Sequence, residues 1–240
     1  EIQLGDWSSD VCSSDLEGRF DKSVIPVYDD NGDLLLDRDE YMRPQTTVDS
    51  LGSLRAAFTG MGEKGGFDAI ALRRYPELAR VKHLHTAGNS SGIVDGAAAM
   101  LIGSREGGEK LGLKPRARIR SFASIGMDPT LMLAAPADAT ERAAKRLGMA
   151  ARDLDLIEVN EAFATVVLRF MELTGADHDR VNVNGGGISM GHPIGATGVM
   201  LVNTVLDEME RTGAETGGVT LCVGEGMAVA TIIERVEDFQ

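Results

Sequence analysis

The sequence predicts a layered α/β core preceded by a looser, turn-rich lobe. Two observations carry that reading. From residue 116 onward, short apolar runs of strand character alternate with amphipathic stretches of helical spacing. Before residue 85 the chain is polar, with turns and short elements. At 240 residues and 43% hydrophobic content, the chain has ample material for a buried core, which excludes a disordered chain. The longest apolar runs, residues 199–202 and 227–233, fall well short of the roughly 20 residues a membrane-spanning helix needs. Net charge is −13 and no basic block stands out. That argues against a nucleic-acid binder, which normally carries a basic face.

Residues 1–16, EIQLGDWSSDVCSSDL, hold the only Trp and one of the two Cys. They show neither helical nor strand periodicity and lack the basic start and apolar centre of a signal peptide. DWSSDVCSSDL is identified as the in-frame translation of a common short-read sequencing adapter, so the segment is read as an artefact and set aside from fold reasoning. Without its four acids the net charge becomes −13 + 4 = −9. Cys222 is then the single remaining cysteine, which leaves no intrachain disulfide and fits a reducing, cytoplasmic setting.

The elements follow in order. Residues 23–28 alternate, Asp29 to Asp33 form a DNG-type turn, and Leu34 to Leu36 resume the apolar run, which reads as a hairpin. Thr47 through Phe58 reads as a short capped helix, with Leu51 and Leu54 on one face. Residues 59–82 form a Gly-rich excursion holding a helix over 67–75. A small-residue loop at 86–92 precedes residues 95–102, DGAAAMLI, which read as a buried strand. A short helix over 107–111 ends at Gly112. Strands are expected at 116–126, 154–159 and 181–183, and helices at 137–147, 161–173 and 195–211. The helix over 161–173 turns Phe163, Val166, Val167 and Phe170 inward. Residues 218–223 and 228–236 read as an antiparallel pair.

Glycine is 29 of 240 residues, above the usual roughly 7%, and the excess is concentrated. Residues 184–198 read NGGGISMGHPIGATG, with six glycines around His192-Pro193. Glycines admit positive φ and close backbone approach to a ligand, and Pro193 fixes the chain beside the imidazole. The stretch lacks the GKS or GKT ending of a phosphate P-loop and the Rossmann glycine spacing. His192 read alone is either functional or a satisfied structural histidine. Cys222, at a strand end before Gly224, is either a buried packing residue or a thiol beside free N–H groups that can hold an oxyanion. Asn160 lies between strand and helix, where an N-cap is the plain reading and a ligand-orienting amide the other. Thr86 to Gly92 suits an extended amide-bearing ligand or an ordinary turn.

Together HTAGNSSGIVDGAA, NEAFA, NGGGISMGHPIGATG and CVGEGMAVA resemble the thiolase family, in its order and at its separations. RPQTTVDSLGSLRAAF, residues 43–58, resembles the family's loop domain. The resemblance runs from about residue 16 to residue 240 and covers the second half of a thiolase. It implies a layered αβαβα core, of which residues 93–240 are the C-terminal domain and residues 17–92 the remainder of a CoA-binding loop domain. It also implies ping-pong acyl transfer between coenzyme A thioesters, by thiolysis of a 3-ketoacyl-CoA or Claisen condensation of acetyl-CoA. His192 would activate a nucleophilic cysteine, and Cys222 would be the acid/base, its thiol tuned by the glycine-rich turns. Asn160 would hold the water of one oxyanion hole and the Gly224 N–H would belong to another. Ser91, Arg43, Phe58 and Met132 match positions lining CoA. Coenzyme A is substrate and product, with no other cofactor and no metal.

Glu225 and Ala228 stand where many members carry glycine. The nucleophile is missing, because Cys12 lies in the adapter-like segment. The expectation is therefore an active full-length thiolase and a 240-residue chain that is inactive alone. A ketoacyl synthase, with its Cys-His-His set, is disfavoured by Cys222, and a non-catalytic acyl-CoA or lipid-binding relative is the alternative. The 126–136 loop and the 59–84 excursion resemble degradative, β-oxidation members of broad specificity. The family implies a homodimer or homotetramer.

Overall fold

A computed structural model describes residues 6–236. The first lobe holds α1 (Asp6–Leu16), the hairpin β1 (Val27–Tyr28) and β2 (Leu34–Leu36), then α2 (Val48–Gly52), α3 (Thr59–Glu63) and α4 (Phe67–Arg74). The core follows as α5 (Arg105–Lys110), β3 (Ala117–Gly126), α6 (Pro136–Lys145), β4 (Leu156–Val159), α7 (Ala164–Thr174), α8 (Gly187–Met190), α9 (Ile194–Thr212), β5 (Thr216–Val223) and β6 (Met227–Arg235). Thr47 caps α2 through a box with Ser50, as its sequence predicts.

One four-stranded sheet organises the core in the order β3-β6-β5-β4. β4 and β5 run parallel, and the other pairs are antiparallel. Helices α6 and α7 cover one face, where Ala139, Ala143, Val167 and Phe170 close over Ile157, Ala230 and Ile232. Helix α9 covers the other, with Leu201, Val205, Leu206 and Met209 against Leu156, Val219 and Ile233. The described residues thus supply three layers, α/β/α, of the five-layer core the resemblance implies. Gly217 and Gly218 admit close packing on the two faces of the sheet, since a Cβ there would fall 2.6 Å from Met209 Sδ and 2.8 Å from Leu154 Cδ1.

Three expectations fail, each for a physical reason. Residues 95–102 form no strand, and Leu101 and Ile102 are 76% and 68% exposed. A strand needs a neighbour for its N–H and C=O groups, and no described strand lies beside this segment. Residues 181–183 make single bridges instead of a strand, because Asn182 takes a φ of 52° and turns the chain. Helix α7 begins at Ala164, because residues 162 and 163 are bonded to the loop at 90–91, with Phe163 in extended backbone. Conversely, α1 is helical although its sequence lacks periodicity. Among the described side chains of α1, Val11 and Ser14, one turn apart, are buried against the glycine loop, and two such contacts make no sequence pattern.

The carboxyl ends of β4 and β5, the β5–β6 turn and the start of α9 converge at one edge of the sheet. That is the usual site side of a parallel pair.

Phe170 is 1% exposed at the centre of the α7 layer. Phe170→Ala is expected to remove about 3–5 kcal/mol of stability, read as a lower urea midpoint.

Candidate active site

Asn160 is the first residue beyond β4. Its backbone N–H donates to Thr220 O at 2.9 Å, continuing the β4–β5 pairing by one residue. This aims a side chain that is 1% exposed at the convergence point. Asn160 is not a helix cap: that position at α7 belongs to Phe163. Its Nδ2 instead donates to His192 Nε2 at 3.3 Å, and its side chain lies near enough to Cys222 to act on the thiol. The three residues singled out from separate motifs therefore meet. Asn160 Oδ1 is buried and has no protein partner, so a donor from a bound molecule would satisfy it.

His192 sits on the turn between α8 and α9, its N–H donating to Gly92 O at 2.8 Å. An amide nitrogen only donates, so Nε2 offers its lone pair to Asn160 and the ring proton is on Nδ1. Nδ1–H then donates to Thr197 Oγ1 at 2.6 Å, and the Thr197 hydroxyl donates to Pro193 O at 3.1 Å. Burial lowers the His192 pKa below 6.5 and keeps the ring neutral, which suits a base. The first N–H groups of α9 do not all face this turn as a ligand cradle. Those of Ala196 and Thr197 are taken by Pro193 O.

Burial, and not the glycine-rich turns, has the largest effect on the Cys222 thiol. Burial pushes it up to about 11, against smaller lowering by its own backbone and by Asn160. At neutral pH it is an S–H group, a proton donor. Two residues on, the space around Gly224 is open, with no atom within 4 Å of a Cβ placed there. The turn continues through Glu225 at φ 65° and Gly226 at φ 82°. Glu225 thus adopts the left-handed conformation a glycine takes more readily, at a cost of about 1 kcal/mol. Gly226 is fixed by contact, since a Cβ would fall 2.8 Å from the Asp128 carbonyl. Its N–H donates to Met132 O and its O accepts from Met127 N–H, both at 2.8 Å, so the Met132 loop is laced to the turn bearing Gly224.

The remaining expected residues form the rim. Ser91 N–H donates to Ala162 O at 3.0 Å, placing the 90–91 loop alongside the segment that leaves Asn160. Phe58 stands edge-on to Phe163, with centroids 5.8 Å apart. Arg43 is exposed and lies 4.9 Å over the Tyr41 ring, which in turn fills the space a side chain at Gly92 would need. Arg43 is therefore outermost and touches none of the central three.

Sequence reasoning missed four contributors. Thr197 sets the His192 tautomer and was visible only as the Thr in GATG. Glu161 and Asn182 are buried, and bond to one another at 2.9 Å across 21 residues, a separation no local pattern carries. His85 packs edge-on to Phe163 at 4.7 Å and bonds Thr165 Oγ1 at 3.0 Å. Among the described residues no cluster of three or more His, Cys, Asp or Glu is arranged to hold a metal ion.

Two solution measurements follow. Near pH 7 the Cys222 peptide is expected to alkylate about a hundredfold more slowly than an ordinary thiol, and to accelerate as pH rises towards 11. Mass spectrometry against an added unstructured cysteine peptide reads this. His192 is expected to titrate by NMR below its ordinary 6.5. Because the fold favours the neutral ring, the unfolded chain takes that proton first, so this contribution to stability is lost as pH falls from 6.5 through the folded value.

Comparison with known proteins agrees with this geometry. The family profile described as "Thiolase, N-terminal domain" matches residues 12–106, and "Thiolase, C-terminal domain" matches residues 113–235. A 3-ketoacyl-CoA thiolase of Marinobacter nauticus is 41% identical over 226 residues, covering 92% of this chain and 53% of that protein. An acetyl-CoA acetyltransferase of Shinella zoogloeoides is 42% identical over 222 residues, covering 92% and 51%. The crystal structure of the Bacillus anthracis acetyl-CoA acetyltransferase superposes with a TM-score of 0.81 at 32% identity, covering 96% of this chain and 54% of that one. That of human mitochondrial 3-ketoacyl-CoA thiolase gives 0.80 at 31%, covering 95% and 53%. The chain spans about half the length of the curated relatives it matches. With both domain profiles matched in order and the site motifs meeting in space, the chain belongs to the thiolase family.

Proposed function

We propose that the full-length protein is an acyl-CoA C-acyltransferase working through a cysteine acyl-enzyme. The observation that carries this is the Asn160 amide, which bonds the lone-pair nitrogen of His192 and lies beside the buried Cys222 thiol. Relatives named 3-ketoacyl-CoA thiolase and acetyl-CoA acetyltransferase support it.

In thiolysis, His192 Nε2 takes the proton of a nucleophilic thiol supplied by the rest of the protein. The thiolate attacks C3 of a 3-ketoacyl-CoA, forming an S–C bond. As the tetrahedral oxyanion collapses, the C2–C3 bond breaks and its electron pair passes to C2. Cys222 S–H protonates C2 and releases acetyl-CoA, a donor role that suits a thiol raised to about 11. The Cys222 thiolate next takes the proton of an incoming CoA thiol. That CoA thiolate attacks the acyl-enzyme thioester, and the shortened acyl-CoA leaves as the enzyme thiolate recovers its proton from His192. Asn160 would hold the water of one oxyanion hole, and the Gly224 N–H would belong to another.

The same reading extends to coenzyme A thioesters as partners, with CoA entering and leaving and no further cofactor. It includes a degradative, β-oxidation direction in the cytoplasm, assembly as a homodimer or homotetramer, and residues 17–92 as the rim of the CoA site.

Joining the chain to its upstream half and assaying thiolysis tests the proposal. Activity is expected, with His192→Ala and Cys222→Ala each lowering kcat by about a thousandfold. An inactive complete protein that still binds acyl-CoA would instead make it a non-catalytic binder. The 240-residue chain alone is expected to transfer no acetyl group from acetyl-CoA. A preference for acetoacetyl-CoA over longer 3-ketoacyl-CoA would overturn the degradative assignment.

A further inference from the structure

Glu161 is fully buried at 1% exposure, yet takes no part in the chemistry above. A carboxyl group in that position is costly. Burial disfavours its ionised form, and its charge is one of the causes that raise a second buried acid, Glu158. An apolar side chain would fill the space without that cost, so what the carboxyl group touches is informative.

Both hydrogen bonds the structure gives it run to the segment leading into His192. One oxygen accepts from Asn182 Nδ2 at 2.9 Å, and the other from the Ile188 N–H at 3.0 Å. Asn182 is itself clamped to the end of β4, its Oδ1 accepting from Val159 N–H at 2.7 Å and its Nδ2 donating to Val159 O at 2.9 Å. The two anchor points bracket Gly185, Gly186 and Gly187. Those three residues have no side chains to fix their own path, and a glycine run is the most conformationally free backbone available. The carboxyl group lies against this run closely enough to exclude a side chain at Gly186, where a Cβ would fall 2.6 Å from Glu161 Oε1. At one end of the braced unit is Asn160, adjacent in sequence to Glu161. At the other is His192, four residues beyond Ile188. The bond between these two is 3.3 Å, long enough that a small slip of the loop would break it.

We propose that Glu161 is a positioning residue that fixes the glycine loop and thereby holds the His192 ring, in its Nδ1–H tautomer, against Asn160. The proposal rests on the reading of His192 and Asn160 as the centre of the site.

The test uses the 240-residue chain and reads His192 directly. Long-range proton–nitrogen NMR correlations report tautomer and titration for each of the four histidines, so His83, His85 and His178 serve as internal controls. In the unaltered chain His192 is expected as Nδ1–H. Glu161→Gln keeps the shape but presents an NH2 group where one of two donors must be accepted, so one bond is lost. In that variant His192 is expected to become a tautomer mixture, with its titration moving about half a unit or more towards 6.5, while His83 and His85 stay in place. Gly186→Ala is the second variant. Gly186 has φ −164°, extended backbone open to alanine, so the new methyl acts mainly by displacing the Glu161 carboxyl group. The same His192 response is expected with Glu161 intact.

A folded Glu161→Gln or Gly186→Ala chain whose His192 tautomer and titration are unchanged would overturn the proposal. So would loss of folding in both, which would make Glu161 a residue of the fold alone. A His192 already tautomerically mixed in the unaltered chain would sink the site reading itself, which separates the two failures.

Discussion

The hydrogen bond from Asn160 Nδ2 to His192 Nε2 joins two segments 32 residues apart, and neither is stiff by itself. One is the first residue past a four-residue strand, and the other follows a glycine run and precedes a proline. Their meeting is made possible by the sheet. β4 runs parallel to β5 and passes its pairing on to Asn160 through Thr220, while α9 packs across β4 and β5 and carries His192 at its head. The bond also decides chemistry. It engages the Nε2 lone pair, so Nε2 is the basic nitrogen of the ring, and sends the ring proton to Thr197. A histidine otherwise free to choose its tautomer becomes a base with a fixed direction.

Burial at this edge of the sheet works in opposite senses on different groups. It disfavours charge on His192 and on Cys222, leaving one a neutral acceptor and the other an S–H donor. It equally disfavours the three acids beneath them, which the fold handles separately. Glu208 is paired with Arg211 and with the Asn184 amide, and its pKa is lowered. Glu161 accepts from two N–H donors. Glu158 has an oxygen with no partner and is raised well above its ordinary value, so it is held as the neutral acid. A core built only for stability would use apolar side chains at such positions. Here polar groups fix the path of a glycine-rich loop, a task apolar packing does poorly because it has no direction.

The rim is built differently, from edge-on rings and backbone bonds. Phe58, His85 and Phe163 form one aromatic cluster drawn from three separate segments, and the 90–91 loop pairs with residues 162–163 beside it. This pairing holds Phe163 in extended backbone and delays the start of α7. The first lobe is therefore fastened to the core beside the central three residues.

The sequence by itself determined the alternation of strands and helices from residue 116, the β5–β6 pair, the capped α2 and the motifs bearing Asn160, His192 and Cys222. Those signals are local: periodicity, turn residues and glycine clustering are each complete within a dozen residues. Where the sequence misled, as at 95–102, apolar content was read as burial, but burial of a strand is conferred by its neighbour. Tertiary structure alone decided that Asn160 faces His192 instead of capping a helix, that burial raises the Cys222 thiol, and that Glu161 and Thr197 matter. Each of these depends on which groups lie across a gap of many residues, and on how much water the fold removes around them. Distances and desolvation of that kind exist only once the chain has closed.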